Sequence, residues 1–386
     1  MFLPRNNRQI SQHKEEYGNS EKRVAVAMLF FAMNLIAVSF FAPSYVIAQD
    51  SHEGQGYHDT QVPSQQERIP FRVVSWNIEN LFDTRHDSLK NDHEFLPDAM
   101  RHWNYSRYKK KLVDVARVIT AIGEWSPPAL VGLCEVENDT VLRDLTRRSP
   151  LKELSYRYVM TNSPDLRGID VALLYQRDLF KLLSSRSISI PPFKQHRPTR
   201  DLLHVSGLLL AGDTLDVFVC HFPSRSGGAK ESEPYRLYAA HILRMEVDSI
   251  MNIRSLPQVI IMGDLNDDPN NTSCKVVLGA KKDQKDVKPG GYYNTMWNFF
   301  DKGIGSLAYQ GSWNLFDQII ISENFLGKDR STLKFIKAEI FNRDFLKQTE
   351  GKYKGYPKRT HAGGVYLNGY SDHFPTLIYL AKEVNR

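Results

Sequence analysis

The chain has 386 residues, of which 41% are hydrophobic and 24% charged, and it contains 20 Phe and 18 Tyr. This composition predicts a folded protein with a sizeable core and excludes a disordered polar polymer. The formal net charge of +6 suits a phosphate-bearing substrate, but a bias this mild does not by itself indicate nucleic-acid binding.

Residues 1–48 have the pattern of a targeting segment. A basic stretch precedes Val24–Ala42, which carries no charge, and small residues follow around Ala48. The pattern is typical of a secretory signal cleaved after Ala48. The apolar stretch of 19 residues could instead span a bilayer as an uncleaved anchor. Under either alternative we expect an exported protein whose catalytic part is periplasmic or extracellular.

Residues 49–69 are polar and predict a linker, and residues 70–386 predict one catalytic domain. Hydrophobic periodicity predicts helices over Ser106–Gly123 and Pro234–Ile253. Apolar runs predict strands over Phe71–Trp76, Leu130–Leu133, Ile169–Tyr175, Leu202–Leu210, Thr214–Cys220, Val259–Met262, Phe316–Ser322 and Pro375–Ala381. Several of these strands end at a polar residue, where a catalytic group would be rigidly held yet exposed in a cleft.

Two of these strand ends carry the first candidate residues. Asn77 follows the first strand, although an ordinary Asn-containing turn would explain it equally. Glu135 closes a short apolar run, where a carboxylate must be paired or bound to a metal. Glu135 therefore suits Mg²⁺, which uses one or two carboxylates and keeps several waters. A salt-bridged strand end is the alternative.

His221 lies at another strand end and precedes Arg225 and a Gly227-Gly228 pair. Such a loop could present backbone N–H groups and a guanidinium to a phosphate. A lone His is more often structural, but its neighbours here favour a functional role.

Two dense polar motifs predict the chemistry of the site. Asp264 and Asn266 follow a buried strand two residues apart and can point the same way. Asp264 could accept a proton from an attacking water while Asn266 donates to a phosphoryl oxygen; the alternative is an acidic turn capped by proline. In the second motif Asp372 could reach a metal, and His373 could bind a phosphoryl group or move a proton. Asp317 is the candidate for a carboxylate behind His373.

These five motifs and the Asp317 strand, taken in order, resemble the endonuclease/exonuclease/phosphatase superfamily from about Phe71 to the C-terminus. The resemblance implies a DNase-like α/β fold, a four-layer sandwich of two mixed β-sheets flanked by helices. It implies Mg²⁺, with Mn²⁺ as a substitute, at a site formed by Asn77, Glu135 and Asp372. Asn77 would also lie near the substrate, and Glu79 stands where some members carry a supporting acid.

The resemblance also implies catalytic roles. His221 takes the position of the acid or phosphate-binding group, and Arg225 is our candidate for a second phosphate contact. The base or water-orienting residue is Asp264, and Asn266 is its phosphate-binding partner. Asp317 lies behind the catalytic His373.

The cysteines and one basic stretch stand apart from this pattern. Cys134 replaces the Gln that the superfamily often carries before the metal Glu. Cys134, Cys220 and Cys274 are too few for a disulfide framework, and we expect the first two to be small buried hydrophobes. The basic and aromatic stretch Lys352–Arg359 could hold a polyanionic backbone and stack a base, or it could be a plain solvated loop.

Three functions follow from these observations. The first is an exported Mg²⁺-dependent nuclease acting on DNA or RNA, and the second is a phosphatase or lipid phosphodiesterase on the same scaffold. A non-catalytic binding module should lack site residues, yet all are present. We expect a phosphate-ester substrate, no obligate protein partner and a monomer.

Overall fold

A computed structural model of the chain describes residues 66–193, 197–210 and 212–385. The predicted signal or anchor, and most of the predicted linker, lie outside these residues. The described residues fall in one compact unit, Pro63–Arg386. None of the helices described is long and apolar enough to cross a membrane.

Two six-stranded mixed sheets form the centre of the fold. The first has the order β13 (Lys334–Ile340), β16 (Thr376–Asn385), β1 (Gln66–Leu81), β2 (Leu130–Val136), β4 (Asp170–Tyr175) and β3 (Arg157–Met160). The second has the order β5 (Phe180–Ile188), β6 (Leu202–Leu209), β7 (Thr214–His221), β8 (Gln258–Asp264), β12 (Asp317–Ser322) and β9 (Tyr292–Asn294). Two short hairpins pair β10 (Leu307–Tyr309) with β11 (Ser312–Asn314), and β14 (His361–Ala362) with β15 (Val365–Tyr366).

Each sheet has a parallel pair of strands near its middle, joined by a long helix. Helix α1 (Tyr105–Gly123) connects β1 to β2, and α3 (Ala229–Ile253) connects β7 to β8. Two shorter helices are α2 (Asp139–Arg148) and α4 (Trp297–Asp301). Within each parallel pair the two strands run in the same direction, so their carboxyl ends lie at the same edge of the sheet. In α/β proteins this is the edge where ligands bind.

The two sheets pack face to face between layers of helix. Val217 and Val219 of β7 join the core shared with the first sheet and with α1, whereas Phe218 and Cys220 face the cluster formed with α3. This alternation is the period of two expected of a strand buried on both faces. Gly132 marks the close approach of the sheets, since a Cβ there would lie 2.8 Å from Cε of Met262. The predicted four-layer α/β sandwich is confirmed.

Element boundaries differ from prediction where tertiary contacts decide them. β1 begins at Gln66, inside the predicted linker, because it pairs with β16 from that residue onward. Helix α3 begins at Ala229 and includes Pro234. Its first turn is held by Arg236, whose guanidinium donates to the carbonyl of Ala229. Strands β5 and β13 were not predicted, because both are edge strands that lack an apolar run, and most of β5 is exposed.

Candidate active site

Three polar residues lie side by side across the second sheet. His221 ends β7, Asp264 ends β8, and Asp317 begins the antiparallel β12. The strand register places Asp264 directly between the other two. All three are at most 3% exposed. Backbone pairing within the sheet therefore fixes this row, which makes its geometry more rigid than loops could provide.

Three side chains converge on one oxygen of Asp264. The Nδ2 amide of Asn77 donates to Oδ2 at 3.0 Å, bringing in a residue from the other sheet. Nε2 of His221 lies 3.7 Å from the same oxygen, and Nε2 of His373 lies 3.9 Å from it. Both imidazole separations exceed hydrogen-bond length, so both Nε2 atoms are available to a further oxygen. The other carboxylate oxygen accepts from the backbone N–H of Asn266 at 2.9 Å.

The ring of His373 is held from behind. Its Nδ1 lies 2.6 Å from Oδ2 of the fully buried Asp317, which also accepts from the hydroxyl of Ser306. The indole N–H of Trp76 donates to the carbonyl of His373 at 3.0 Å, and Ser371 accepts from its backbone N–H. These contacts orient the ring with Nε2 toward Asp264.

The two histidines differ in charge because their neighbours differ. Burial lowers the pKa of His373, but the carboxylates of Asp317 and Asp264 outweigh it and hold the pKa well above its ordinary value. Burial lowers the pKa of His221 well below its ordinary value, and the guanidinium of Arg200 adds to the effect. Burial raises the pKa of Asp264 to about 6, although His373 opposes the rise. At neutral pH the site therefore holds one imidazolium, one neutral imidazole and a carboxylate close to its pKa.

The first sheet supplies its candidates from irregular strand ends. Its register shifts between Asn77 and Leu81 in β1 and next to Glu135 in β2. Glu79 and Glu135 both have positive φ, at 52° and 67°. Oε2 of Glu135 accepts from the backbone N–H of Asn80 at 2.9 Å. Bulges of this kind re-aim side chains next to active sites.

Several carboxylates of the candidate site influence the buried Lys111. The carboxylates of Glu79, Asp372 and Glu135 all act electrostatically on its amine. Burial raises the pKa of Glu79 to about 7, and the charge of Asp372 adds to the rise. Carboxylate and amide oxygens are the ligands that Mg²⁺ prefers, so Glu135, Asp372 and Asn77 fit that ion by their donor chemistry.

A second set of ligand atoms is offered by Asp264, Asp317 and His373, which lie within 4.8 Å of one another. A cation there would compete with the proton that Asp317 and Asp264 stabilise on His373. We therefore assign these three to proton handling and keep the oxygen-only set as the candidate magnesium ligands.

The structure gives Arg225 and Asn266 internal partners. Nδ2 of Asn266 donates to the carbonyl of Phe222 at 2.9 Å. The guanidinium of Arg225 donates to the carbonyl of Asn266 at 2.9 Å and to Asn271 at 3.0 Å, and it stacks over the ring of Phe316 at 4.3 Å. Both side chains brace the loop after β8, and their predicted contacts with substrate would require them to exchange these partners.

Several residues beside the site were not singled out from the sequence. Arg359 pairs with Asp372 at 2.7 Å, and Arg167 lies 3.6 Å from Glu135. Arg200 donates to the carbonyl of Phe222 at 2.7 Å. Each basic residue is far in sequence from its acidic or carbonyl partner, so no local motif marks it. Of these three, only Arg359 lies in a segment that the sequence marked as a candidate, the basic Lys352–Arg359 stretch.

The segments left open by the sequence have structural contacts. All three cysteines are buried and free, and Cys134 lies 3.4 Å from the carbonyl oxygen of Cys220. In the Lys352–Arg359 stretch, Tyr356 packs edge-on against Trp313 while Arg359 reaches Asp372. Arg359 therefore attaches this stretch to the site, and Tyr356 holds it against β11.

A sequence family model covers most of the chain. The sequence model described as "Endonuclease/Exonuclease/phosphatase family" matches residues 72–382. No curated protein matches the sequence.

Several solved structures share the fold. A humanized TDP2 of D. rerio is 16% identical over 81% of this chain and 98% of its own, with a TM-score of 0.50. The mannosyl-6-phosphatase of Bacteroides thetaiotaomicron is 15% identical over 80% of this chain and 99% of its own, also with a TM-score of 0.50. The catalytic domain of human Nocturnin is 17% identical over 82% and 97%, with a TM-score of 0.47. At these identities the likeness concerns the fold alone.

Proposed function

Since the chain belongs to the endonuclease/exonuclease/phosphatase family, a superfamily of metal-dependent phosphoesterases, we propose that it hydrolyses phosphodiester bonds with Mg²⁺ as its cofactor. The observation that carries this proposal is the convergence of His221, His373 and Asn77 on the carboxylate of Asp264. In-line hydrolysis needs a base for the water and donors for the phosphoryl oxygens, and these residues supply both.

Proton transfer would begin at Asp264. With a pKa of about 6, its carboxylate is largely ionised at neutral pH yet basic enough to accept the proton of the attacking water. The imidazolium of His373 would donate to a phosphoryl oxygen through Nε2, with Asp317 stabilising its charge. The neutral His221 would donate a hydrogen bond to a second phosphoryl oxygen. As the bond from phosphorus to the leaving oxygen breaks, that oxygen would take its proton from solvent water.

The metal would be held on the side of the first sheet. Glu135, Asp372 and Asn77 provide its oxygen ligands, and Mn²⁺ would substitute for Mg²⁺. When bound, the ion supplies charge stabilisation to the phosphoryl group and orients it. Arg359 and Arg167, which neutralise two of these carboxylates, would then turn toward the anionic substrate.

Nucleic acid is the substrate that we favour. The Lys352–Arg359 stretch combines cationic and aromatic side chains, and Arg359 joins it to the site. Such a surface tracks a polyanionic backbone while its aromatic rings stack on bases. The formal charge of +6 agrees with this substrate class.

A phosphatase acting on a small phosphorylated ring is the second candidate. A cavity of about 300 Å³ is lined by Trp313, Lys347 and Phe374, the residue after His373. Its volume and its aromatic wall would suit one sugar or nucleoside. A mannosyl-6-phosphatase from Bacteroides thetaiotaomicron has the same fold.

A substrate panel tests both candidates. The purified chain would be assayed in Mg²⁺ on plasmid DNA, RNA, sphingomyelin, inositol phosphates and mannose 6-phosphate, with EDTA and Mn²⁺ as further arms. We expect cleavage of nucleic acid, loss of cleavage in EDTA, and loss in Asp264→Asn. The exposed Asp98→Asn is the matched control and should retain activity. Intact nucleic acid alongside phosphate release from a small ester would replace the nuclease with the phosphatase.

We further infer that the protein is exported and monomeric. The proposal of export rests on residues 1–48, whose apolar Val24–Ala42 stretch follows basic residues. Cell fractionation with N-terminal sequencing would separate a chain cleaved after Ala48 from an anchored one, and a cytoplasmic full-length chain would contradict both. Light scattering of the purified chain would contradict a monomer if it gave a multiple of 44.4 kDa.

A further inference from the structure

The segment between β1 and α1 carries a second group of metal-type ligands that the proposed hydrolysis does not use. Nδ1 of His86 lies 2.5 Å from Oδ1 of Asp92, and the rings of His86 and His93 lie 4.5 Å apart between centroids. One ligand atom from each of the three residues lies within 4.8 Å of the others. The group shares no residue with the candidate active site.

The carboxylate of Asp92 is buried and oriented. It is 1% exposed, and its Oδ2 accepts from the backbone N–H of Asp87 at 2.8 Å. Oδ1 therefore faces His86. Among the described residues, no Lys or Arg forms an ion pair with Asp92, so an imidazole is the ionisable partner of its carboxylate. A hydrogen-bonded carboxylate that orients toward imidazoles is the usual arrangement around a bound metal ion.

The segment that carries these ligands is fixed at both ends. Phe82, just after β1, stacks on Phe95 with ring centroids 4.1 Å apart and an angle of 3°. The indole of Trp103 donates to the carbonyl of Phe82 at 3.0 Å. Asp92 also begins the short 3-10 helix His93–Phe95, which holds His93 beside it. Three ligands on a braced segment need little ordering before they bind an ion.

We propose that His86, Asp92 and His93 bind one Zn²⁺ ion. Two imidazoles and a carboxylate suit zinc, whereas Mg²⁺ prefers oxygen ligands alone. With Zn–ligand distances of about 2.0–2.1 Å, tetrahedral ligand atoms lie about 3.3 Å apart, within reach of the observed spacing. Rotation of the exposed His86 and His93 side chains can adjust the spacing, including the widening needed between Nδ1 of His86 and Oδ1 of Asp92, which lie 2.5 Å apart. Three protein ligands leave the fourth position for water or an exchangeable group.

The zinc ion would stabilise one wall of the active-site cleft. Lys90, between the zinc ligands, donates from Nζ to the carbonyls of Ser163 and Asp165 at 2.8 and 3.0 Å. Asp165 in turn pairs with Arg200, which acts on His221. A metal ion that links His86, Asp92 and His93 would therefore restrain Lys90 and, through it, residues that reach the active site. Zinc should raise the melting temperature of the protein beyond any increase that the catalytic metal causes.

Calorimetric titration of the full chain with Zn²⁺ would test the site, after removal of bound metals and in excess Mg²⁺. The wild type should bind one zinc ion that the His86→Gln/His93→Gln variant does not bind. Loss of supporting contacts alone weakens metal sites up to 100-fold, so loss of two ligands should weaken binding by at least about 100-fold. The exposed His241→Gln on α3 is the matched control and should behave as the wild type.

Two further readouts make the result decisive. Zinc should raise the melting temperature of the wild type and of His241→Gln, but not that of the double variant. Co²⁺ should give visible absorption from a tetrahedral site in the first two proteins only. Zinc bound at the active site would persist in all three proteins. Equal zinc stoichiometry and affinity in the wild type and the double variant would overturn the proposal, as would a wild type that binds no zinc.

Discussion

The Asp317→Asn substitution tests whether a carboxylate sets the charge of His373. Asparagine has nearly the same shape, so Ser306 keeps its neighbour and the imidazole keeps its position. The negative charge 2.6 Å from Nδ1 is lost. Burial, which already lowers the pKa of His373, would then be opposed chiefly by Asp264. The folded pKa would fall, and the imidazolium would be lost as the pH rises through the neutral range.

The size of the effect follows from the role of the proton. Loss of one preorganised donor to a developing negative charge costs about 10²- to 10³-fold, or about 2.7 to 4 kcal/mol of transition-state free energy. We expect kcat/KM at pH 8 to fall by this factor in Asp317→Asn. Because His373 would regain its proton in acid, the difference in kcat/KM between Asp317→Asn and the wild type should shrink as the pH falls. Below the pKa of Asp264, about 6, both proteins should lose activity because this base becomes protonated.

The assay is kcat/KM on a phosphodiester in Mg²⁺ between pH 5 and pH 9 for the wild type, Asp317→Asn and the exposed control Asp98→Asn. Circular dichroism would verify that the variants are folded. The reasoning predicts an alkaline limb displaced to lower pH in Asp317→Asn alone. A deficit that is constant over the whole pH range would refute it, because a purely steric effect would not follow the charge of His373.

Three further predictions concern stability. Lys111→Met should lower the free energy of unfolding by about 3 kcal/mol in urea melts, since the buried amine donates two hydrogen bonds, to the hydroxyl of Thr360 and the carbonyl of Tyr370. The exposed Lys110→Met should cost under about 1 kcal/mol, and equal losses would contradict this. Hydrogen bonds hold the pKa of Asp216 at about 2 against burial, so Asp216→Asn should cost about 1 to 2 kcal/mol at pH 6 after allowance for solvent screening. Because this pKa is depressed in the folded state, the carboxylate stabilises the fold above about pH 4. About half of the difference in unfolding free energy between Asp216→Asn and the wild type should vanish by pH 3. A difference that does not change with pH would refute the ionic cause. Gly263→Ala should give insoluble protein on expression, because its φ is +139° and a Cβ would lie 1.8 Å from the carbonyl oxygen of Cys220; a soluble, stable variant would contradict the geometry.

The central strands and long helices could be predicted because their patterns are local. β7 and β8 are apolar runs that end in His221 and Asp264, and the apolar spacing of α1 follows the helical period. The sandwich itself was predicted from the resemblance of the motifs to the superfamily, and the order of these strands was compatible with it. The edge strand β5 lacks such a run because most of its residues are exposed, and the short helix α2 offers too few residues to show a clear period.

The identity of the site residues was more predictable than their contacts. A polar residue that ends a buried strand stands out in a sequence, as Asp264 and Glu135 do. The partner of Asp372 does not, since Arg359 reaches it across a loop. The internal bonds of Arg225 also depend on how the loop after β8 folds back, which no spacing encodes.

The charge states of the two histidines show why contacts matter for mechanism. His221 and His373 are both buried, and either could serve as acid or neutral donor by residue type alone. The carboxylate of Asp317 behind one ring and the guanidinium of Arg200 near the other push their pKa values apart. Since Asp264 lies between the two rings, its carboxylate faces the imidazolium of His373 on one side and the neutral imidazole of His221 on the other. Water deprotonated at Asp264 would thus approach a phosphoryl group whose negative charge is stabilised mainly from the side of His373.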